Sequence, residues 1–128
     1  MSRKYLEDIA PKIKPQGYHD NSDYRHQRWL EQEKIYGFND KETWDLDKTF
    51  AELIYERLTM YKKIGGEVVN LTCHEFDIDG VTLTLEECIE IILTNCEMAI
   101  RSDNPDTYTE HMDKVWGFMK EIHWCLWW

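Results

Sequence analysis

A short β-forming run, Val68-Val69-Asn70-Leu71-Thr72-Cys73-His74-Glu75-Phe76, meets a second one, Val81-Thr82-Leu83, across the dipeptide Asp79-Gly80. Asp-Gly tolerates the positive φ angles of a type I′ turn, so residues 67–83 read as a β-hairpin. No other feature constrains the chain as much. A lone hairpin is marginal in water and must lie against a helix or pair with another chain. What flanks it on both sides has helical spacing, so the fold class is α+β: about four helices with one β-hairpin, mostly helical.

The helices are read from their ends. Thr84 with Glu87 forms a capping-box pattern before a helix in which Leu85, Cys88, Ile89, Ile92, Cys96 and Ala99 face the core, while Ile91 and Leu93 widen the apolar arc. Asn104-Pro105 supplies a cap and a first-turn proline for the last helix, where Tyr108, Met112, Val115, Trp116, Met119, Ile122 and Leu126 keep helical register to the end. Upstream, Ser22 caps a helix that Gly37 ends. Asn39 with Glu42 opens another, with Leu46, Phe50, Leu53, Ile54, Leu58 and Tyr61 at helical spacing and Gly65 as its stop. Pro11, Pro15 and Gly17 break the first twenty residues into an arm. With 128 residues the chain is expected to be a single domain, 1–128: an arm at 1–20, motif helices at 21–66, the hairpin at 67–83 and C-terminal helices at 84–128.

The formal charge of −10 is unevenly placed. Of the 15 Lys and Arg, 12 precede residue 67; of the 25 Asp and Glu, 12 do as well, which leaves 3 against 13 in the rest of the chain. The whole excess therefore lies in the second half. Such a surface repels phosphates within a Debye length, and direct duplex nucleic-acid binding is not expected. An anionic ligand would look to the first half.

Cys73, Cys88, Cys96 and Cys125 each sit in an apolar pattern with no Cys-x-x-Cys pair, and read as buried, reduced thiols. The five His show no i, i+4 pairing around a carboxylate, so no metal site and no cofactor is expected. No Ser/His/Asp or Cys/His constellation and no phosphate-cradling Gly-rich loop can be drawn, and the reading is that the protein is not an enzyme. The N-terminus lacks the apolar stretch of a secretory signal and no apolar run is long enough to cross a bilayer. The chain is expected to stay where it is made, away from membranes.

The most distinctive stretch is Tyr36-Gly37-Phe38-Asn39-Asp40-Lys41-Glu42-Thr43-Trp44-Asp45-Leu46-Asp47, with Arg57-Leu58 in the helix that follows. Together with Asn70-Leu71-Thr72-Cys73-His74-Glu75-Phe76 and the closing Trp127-Trp128, it resembles the pattern of small phage-encoded proteins, over roughly residues 35–128. Among these the resemblance is assigned to the sponge proteins that evade CBASS-type defence by sequestering cyclic-nucleotide signals, some of which assemble as tetramers. It implies a protein of the host cell cytoplasm whose partner is a cyclic oligonucleotide second messenger. Tyr36, Phe38, Asp40, Thr43, Trp44 and Arg57 are then the ligand-binding residues. The residue types suit such a ligand, because bases stack on aromatic rings and a phosphate pairs with a planar guanidinium. Free N–H groups around Asp40 to Thr43 would add anion contacts. The same residues also admit a plain structural account, with Trp44 packed on a core and Arg57 paired with Asp47 or Glu56.

Three Trp in the last five residues either pack into the protein's own core or cover a contact between copies, and a homo-oligomer, tetramer or dimer, is expected. The competing functional reading is an acidic protein-binding inhibitor, in which the second half mimics nucleic acid and occupies the cationic channel of a host nuclease.

Overall fold

A computed structural model describes residues 23–128, with side chains from residue 27 onward. The arm at 1–20 and the cap at Ser22 lie outside the described residues. Four helices and one antiparallel hairpin make up a mostly helical α+β architecture: α1 (Asp23–Tyr36), α2 (Leu46–Met60), β1 (Glu75–Ile78), β2 (Val81–Thr84), α3 (Leu85–Arg101) and α4 (Pro105–Ile122). The chain divides into two compact units, Met1–Leu46 and Asp47–Trp128.

The second unit is built on α3 and α4. Thr84 caps α3 as its spacing with Glu87 predicts: Glu87 N–H donates to Thr84 Oγ1 at 3.2 Å, and the Thr84 N–H donates to Glu87 Oε1 at 3.1 Å. The buried positions of α3 are Leu85, Cys88, Ile89, Ile92, Asn95, Cys96 and Ala99, one continuous helical stripe. Helix α4 starts at Pro105, with Asp106 N–H donating to Asn104 Oδ1 at 2.9 Å, and buries Met112, Val115 and Ile122. Ala51 and Leu58 of α2, Leu71 and Cys125 complete the apolar core of this unit. One polar link joins the two central helices, His111 Nδ1 to Asn95 Oδ1 at 2.9 Å.

The hairpin pairs Ile78 with Val81 across a two-residue tip, where Asp79 has φ 53° and Gly80 φ 80°. Both central residues are left-handed, which is the type I′ geometry. The first strand is shorter than the β-forming run suggested. Asn70 to His74 form a turn instead, in which Thr72 N–H and Oγ1–H both donate to Asn70 Oδ1, at 3.0 and 2.6 Å. The turn has tertiary work to do: the carbonyls of His74 and Leu71 accept the N–H groups of Leu85 and Glu86 at the start of α3, each at 3.0 Å. Those N–H groups have no partner inside the helix. Strand β1 lies against α4 and β2 against α3, so the hairpin is supported from within its own unit.

Three further expectations are corrected. The box at Asn39 and Glu42 opens a four-residue 3₁₀ turn, Asp40–Thr43, and α2 begins only at Leu46. At the other end Gly65 does not stop the helix: a π-helical turn, Tyr61–Gly65, runs into a last α-turn, Gly66–Val68. Gly65 gives the Trp128 indole its place, because a Cβ would stand 2.8 Å from Cδ1 of Trp128 and the ring would have to shift. Finally, Cys73 is exposed, because it sits in the turn and not in a buried strand; Cys88, Cys96 and Cys125 are buried, and all four are free thiols.

The C-terminus leaves α4 at Ile122 and passes through a 3₁₀ turn, His123–Cys125. Cys125 points inward, whereas Trp124, Trp127 and Trp128 remain 62, 72 and 59% exposed. They still touch their own unit. Trp124 meets the rings of His74 and Phe76 edge-on at 6.1 and 6.3 Å, and Tyr61 Oη donates to the Trp127 carbonyl at 3.3 Å. Among the described residues no helix is long and apolar enough to cross a membrane.

Candidate functional site

The distinctive motif forms a small polar construction in the first unit. Helix α1 ends at Tyr36; Gly37 turns the chain with φ 84° while its N–H still bonds the Glu33 carbonyl at 2.9 Å. A side chain with Cβ would be strained at that angle, so the glycine is what allows the 3₁₀ turn to fold back on α1. Asp40, only 6% exposed, is the centre of the contact. Its Oδ1 accepts from Trp29 Nε1 at 2.8 Å, its Oδ2 from Gln32 Nε2 at 3.4 Å, and its own N–H donates to Gln32 Oε1 at 2.8 Å. Trp29 and Gln32 stand three residues apart on α1 and so share a face.

The neighbouring residues tighten the same turn. Thr43 Oγ1 donates to the Asp40 carbonyl at 2.7 Å. Asn39 N–H donates to Glu42 Oε2 at 2.9 Å, and the Asn39 amide is turned so that Nδ2 reaches Glu33 Oε1 at 2.6 Å. Trp44 packs edge-on to Trp29 with ring centroids 5.7 Å apart, and Lys41 Nζ lies 5.2 Å from the centre of the Trp29 ring. Tyr36 and Phe38 form a second, tilted ring pair at 6.3 Å. Each ring pair is worth about 0.5–1.5 kcal/mol beyond burial and the cation about 0.5–1 kcal/mol.

Five of the six residues named from the sequence therefore lie in this unit, and the structure joins Asp40, Thr43 and Trp44 in one cluster with Tyr36 and Phe38 as a separate pair. Arg57 belongs to the second unit, exposed on α2. The Asp40 carboxylate is occupied by Trp29 and Gln32, so its part in the motif is to hold the turn. Of the N–H groups expected to meet an anion, that of Asp40 goes to Gln32, and that of Glu42 to the Asn39 carbonyl at 3.2 Å. Trp29, Tyr36, Phe38 and Trp44 are all partly exposed. Sequence reasoning missed Trp29, Gln32 and Lys41. Their signal was weak, an i, i+3 pair whose partner lies across a glycine turn.

A second concavity, also missed, lies in the second unit beside the π-helical turn. It measures about 570 Å³ and is lined by Lys62, Lys63, Gly66, Asn70, Leu71 and Glu86, among others. Lys62 pairs with Glu90 at 2.9 Å. Its walls carry both signs of charge and single out no ligand. Among the described residues no group of three His, Cys, Asp or Glu is placed to hold a metal ion. Burial raises the Cys88 and Cys125 thiols above their ordinary value, and lifts that of Cys96 to about 11. These thiols stay protonated at neutral pH, which makes them packing groups and poor nucleophiles.

No family model, no curated protein and no solved structure matches this chain.

Proposed function

We propose that the protein is a phage immune-evasion sponge, which binds cyclic-nucleotide defence signals in the host cytoplasm and sequesters them without cleavage, as a homo-oligomer. The observation that carries this reading is the partly exposed ring pair Trp29 and Trp44 with Lys41 at its edge, where Asp40 ties the turn to α1; Tyr36 and Phe38 form a second, separate ring pair. Base stacking on such rings is worth about 1–3 kcal/mol per base, and a charge-assisted hydrogen bond to phosphate about 1.5–3. Two bases and two phosphates then supply on the order of 5–12 kcal/mol before the cost of association. Nanomolar capture, near −12 kcal/mol, requires a preformed site. The hydrogen bonds to Asp40 preform the turn.

Calorimetry with a panel of cyclic di- and trinucleotides tests the proposal. One member should bind, return unchanged on denaturation, and bind about 30- to 150-fold more weakly to Lys41→Ala, the loss of about 2–3 kcal/mol expected for one charge-assisted contact. No heat from any of them would refute it. The acidic second half favours a rival, a nucleic-acid mimic that inhibits a host nuclease. Glu90, Asp106, Glu110, Asp113 and Glu121 are all exposed there. Tight binding to a nuclease, with silence toward nucleotides, would establish that alternative.

A further inference from the structure

Helix α2 has two apolar faces. One, carrying Ala51 and Leu58 with Ile54 and Tyr55, lies in the core of the second unit. The other carries Phe50, Leu53, Arg57 and Met60 at spacings of three, four and three, the a/d pattern of a coiled-coil seam. Its apolar members are open to solvent, with Phe50 43%, Leu53 41% and Met60 63% exposed. Ile64, in the π-helical turn that continues the helix, is 41% exposed. Trp116 of α4, 47% exposed and edge-on to Phe50 at 6.1 Å, widens the patch. A helix seldom leaves a second apolar stripe to water unless another helix is to cover it.

The charges along α2 identify the partner. Residues 47–56 carry Asp47, Glu52 and Glu56 against Lys48, while residues 57–66 carry Arg57, Lys62 and Lys63 with no acid. A second copy running antiparallel sets the acidic end of each helix against the basic end of the other; a parallel copy sets like against like. The helix dipoles favour the same choice. Antiparallel seams pair an a position with a d position, so the level of residue 55 becomes the two-fold axis. Phe50 then meets Met60 of the second copy, and Leu53 meets the aliphatic stem of its Arg57, whose guanidinium reaches Glu56.

We infer that α2 is a self-association seam, an antiparallel two-fold contact between two copies of this chain. The inference stands apart from the ligand reading, because its test uses nucleotide-free protein. Light scattering at tens of micromolar should give about twice the 15.5 kDa of one chain. Leu53→Glu and Met60→Glu, both at exposed positions and so compatible with folding, should each weaken the dimer at least ten-fold with the helical circular dichroism unchanged. Orientation is read by disulfide trapping in a Cys73→Ser background, which removes the exposed native thiol. Phe50→Cys mixed with Met60→Cys should cross-link, and neither should cross-link alone. A monomer at that concentration, a dimer indifferent to both glutamates, or cross-linking of each single variant with itself would overturn the inference.

Discussion

The two units bury opposite kinds of residue. In the first, the buried side chains among the described residues are Gln32 and Asp40, both polar, while Leu30 and Ile35 stand 45 and 52% exposed. In the second, thirteen apolar residues are buried and Asn95 is the one buried polar group. A buried aliphatic side chain contributes about 1.5–3 kcal/mol without regard to direction, whereas a hydrogen bond contributes a net of about 1 kcal/mol, or about 1.5–3 to a carboxylate such as that of Asp40, and only at one geometry. The second unit is thus held by amount of burial, and the described part of the first by direction. A motif that must present rings at set positions needs the latter.

The comparison can be broken most forcefully at Ile92, which is fully buried on α3. Ile92→Ala should cost about 2–5 kcal/mol in denaturant unfolding followed by far-ultraviolet dichroism, while hydrogen exchange at Asp40–Trp44 stays as in the parent. If the motif loosened equally, the two units would share one core.

Alkaline pH should act on the same side. Because burial lifts the Cys96 thiol from near 9 to about 11, the folded state keeps a proton that the unfolded chain sheds. That contribution is complete below pH 9 and is lost as pH rises to about 11, a loss of roughly 2–3 kcal/mol. Urea titrations at pH 8 and 10.5 would show the loss in the parent and a smaller one in Cys96→Ala; equal slopes would place Cys96 in contact with water.

Asp40→Ala reverses the target. It leaves Trp29 Nε1 and Gln32 without their acceptor and should cost the first unit about 1–3 kcal/mol, seen as faster amide exchange at residues 29–44 and a shift in tryptophan emission. The α3 amides should not change. Asp40→Asn, which keeps an acceptor and loses the charge, should cost less.

The smallest effect concerns Gly65. Gly65→Ala alone should be close to neutral, because about 1 kcal/mol of helix propensity is offset by displacing Trp128. In a chain lacking Trp128 the same substitution should stabilise by up to about 1 kcal/mol. Additivity of the two changes would mean that the indole does not pack on the glycine in solution.

Much of the fold was legible in the sequence because it is decided over a few residues. The Thr84–Glu87 box, the Asn104-Pro105 cap and the Asp79-Gly80 tip follow from contacts within one turn of chain, and the apolar stripe of α3 from its helical period; the structure has each of them where the spacing places it. The candidate site was legible only in part. Tyr36, Phe38 and Trp44 announce aromatic surface, but nothing local to Asp40 says that its carboxylate is taken by a tryptophan eleven residues earlier.

What tertiary structure alone decided are the places where two local outcomes lie close in energy. Gly65-Gly66 suits a helix stop or a helix, and Trp128 resting on Gly65 marks where the helical outcome was taken. Val68 to Phe76 suits a strand, yet the unpaired N–H groups at the start of α3 draw the Leu71 and His74 carbonyls, so the segment turns and strand pairing begins at Glu75. The reason is common to both: propensities differ by about a kilocalorie per residue or less, and a single long-range contact or hydrogen bond is worth as much.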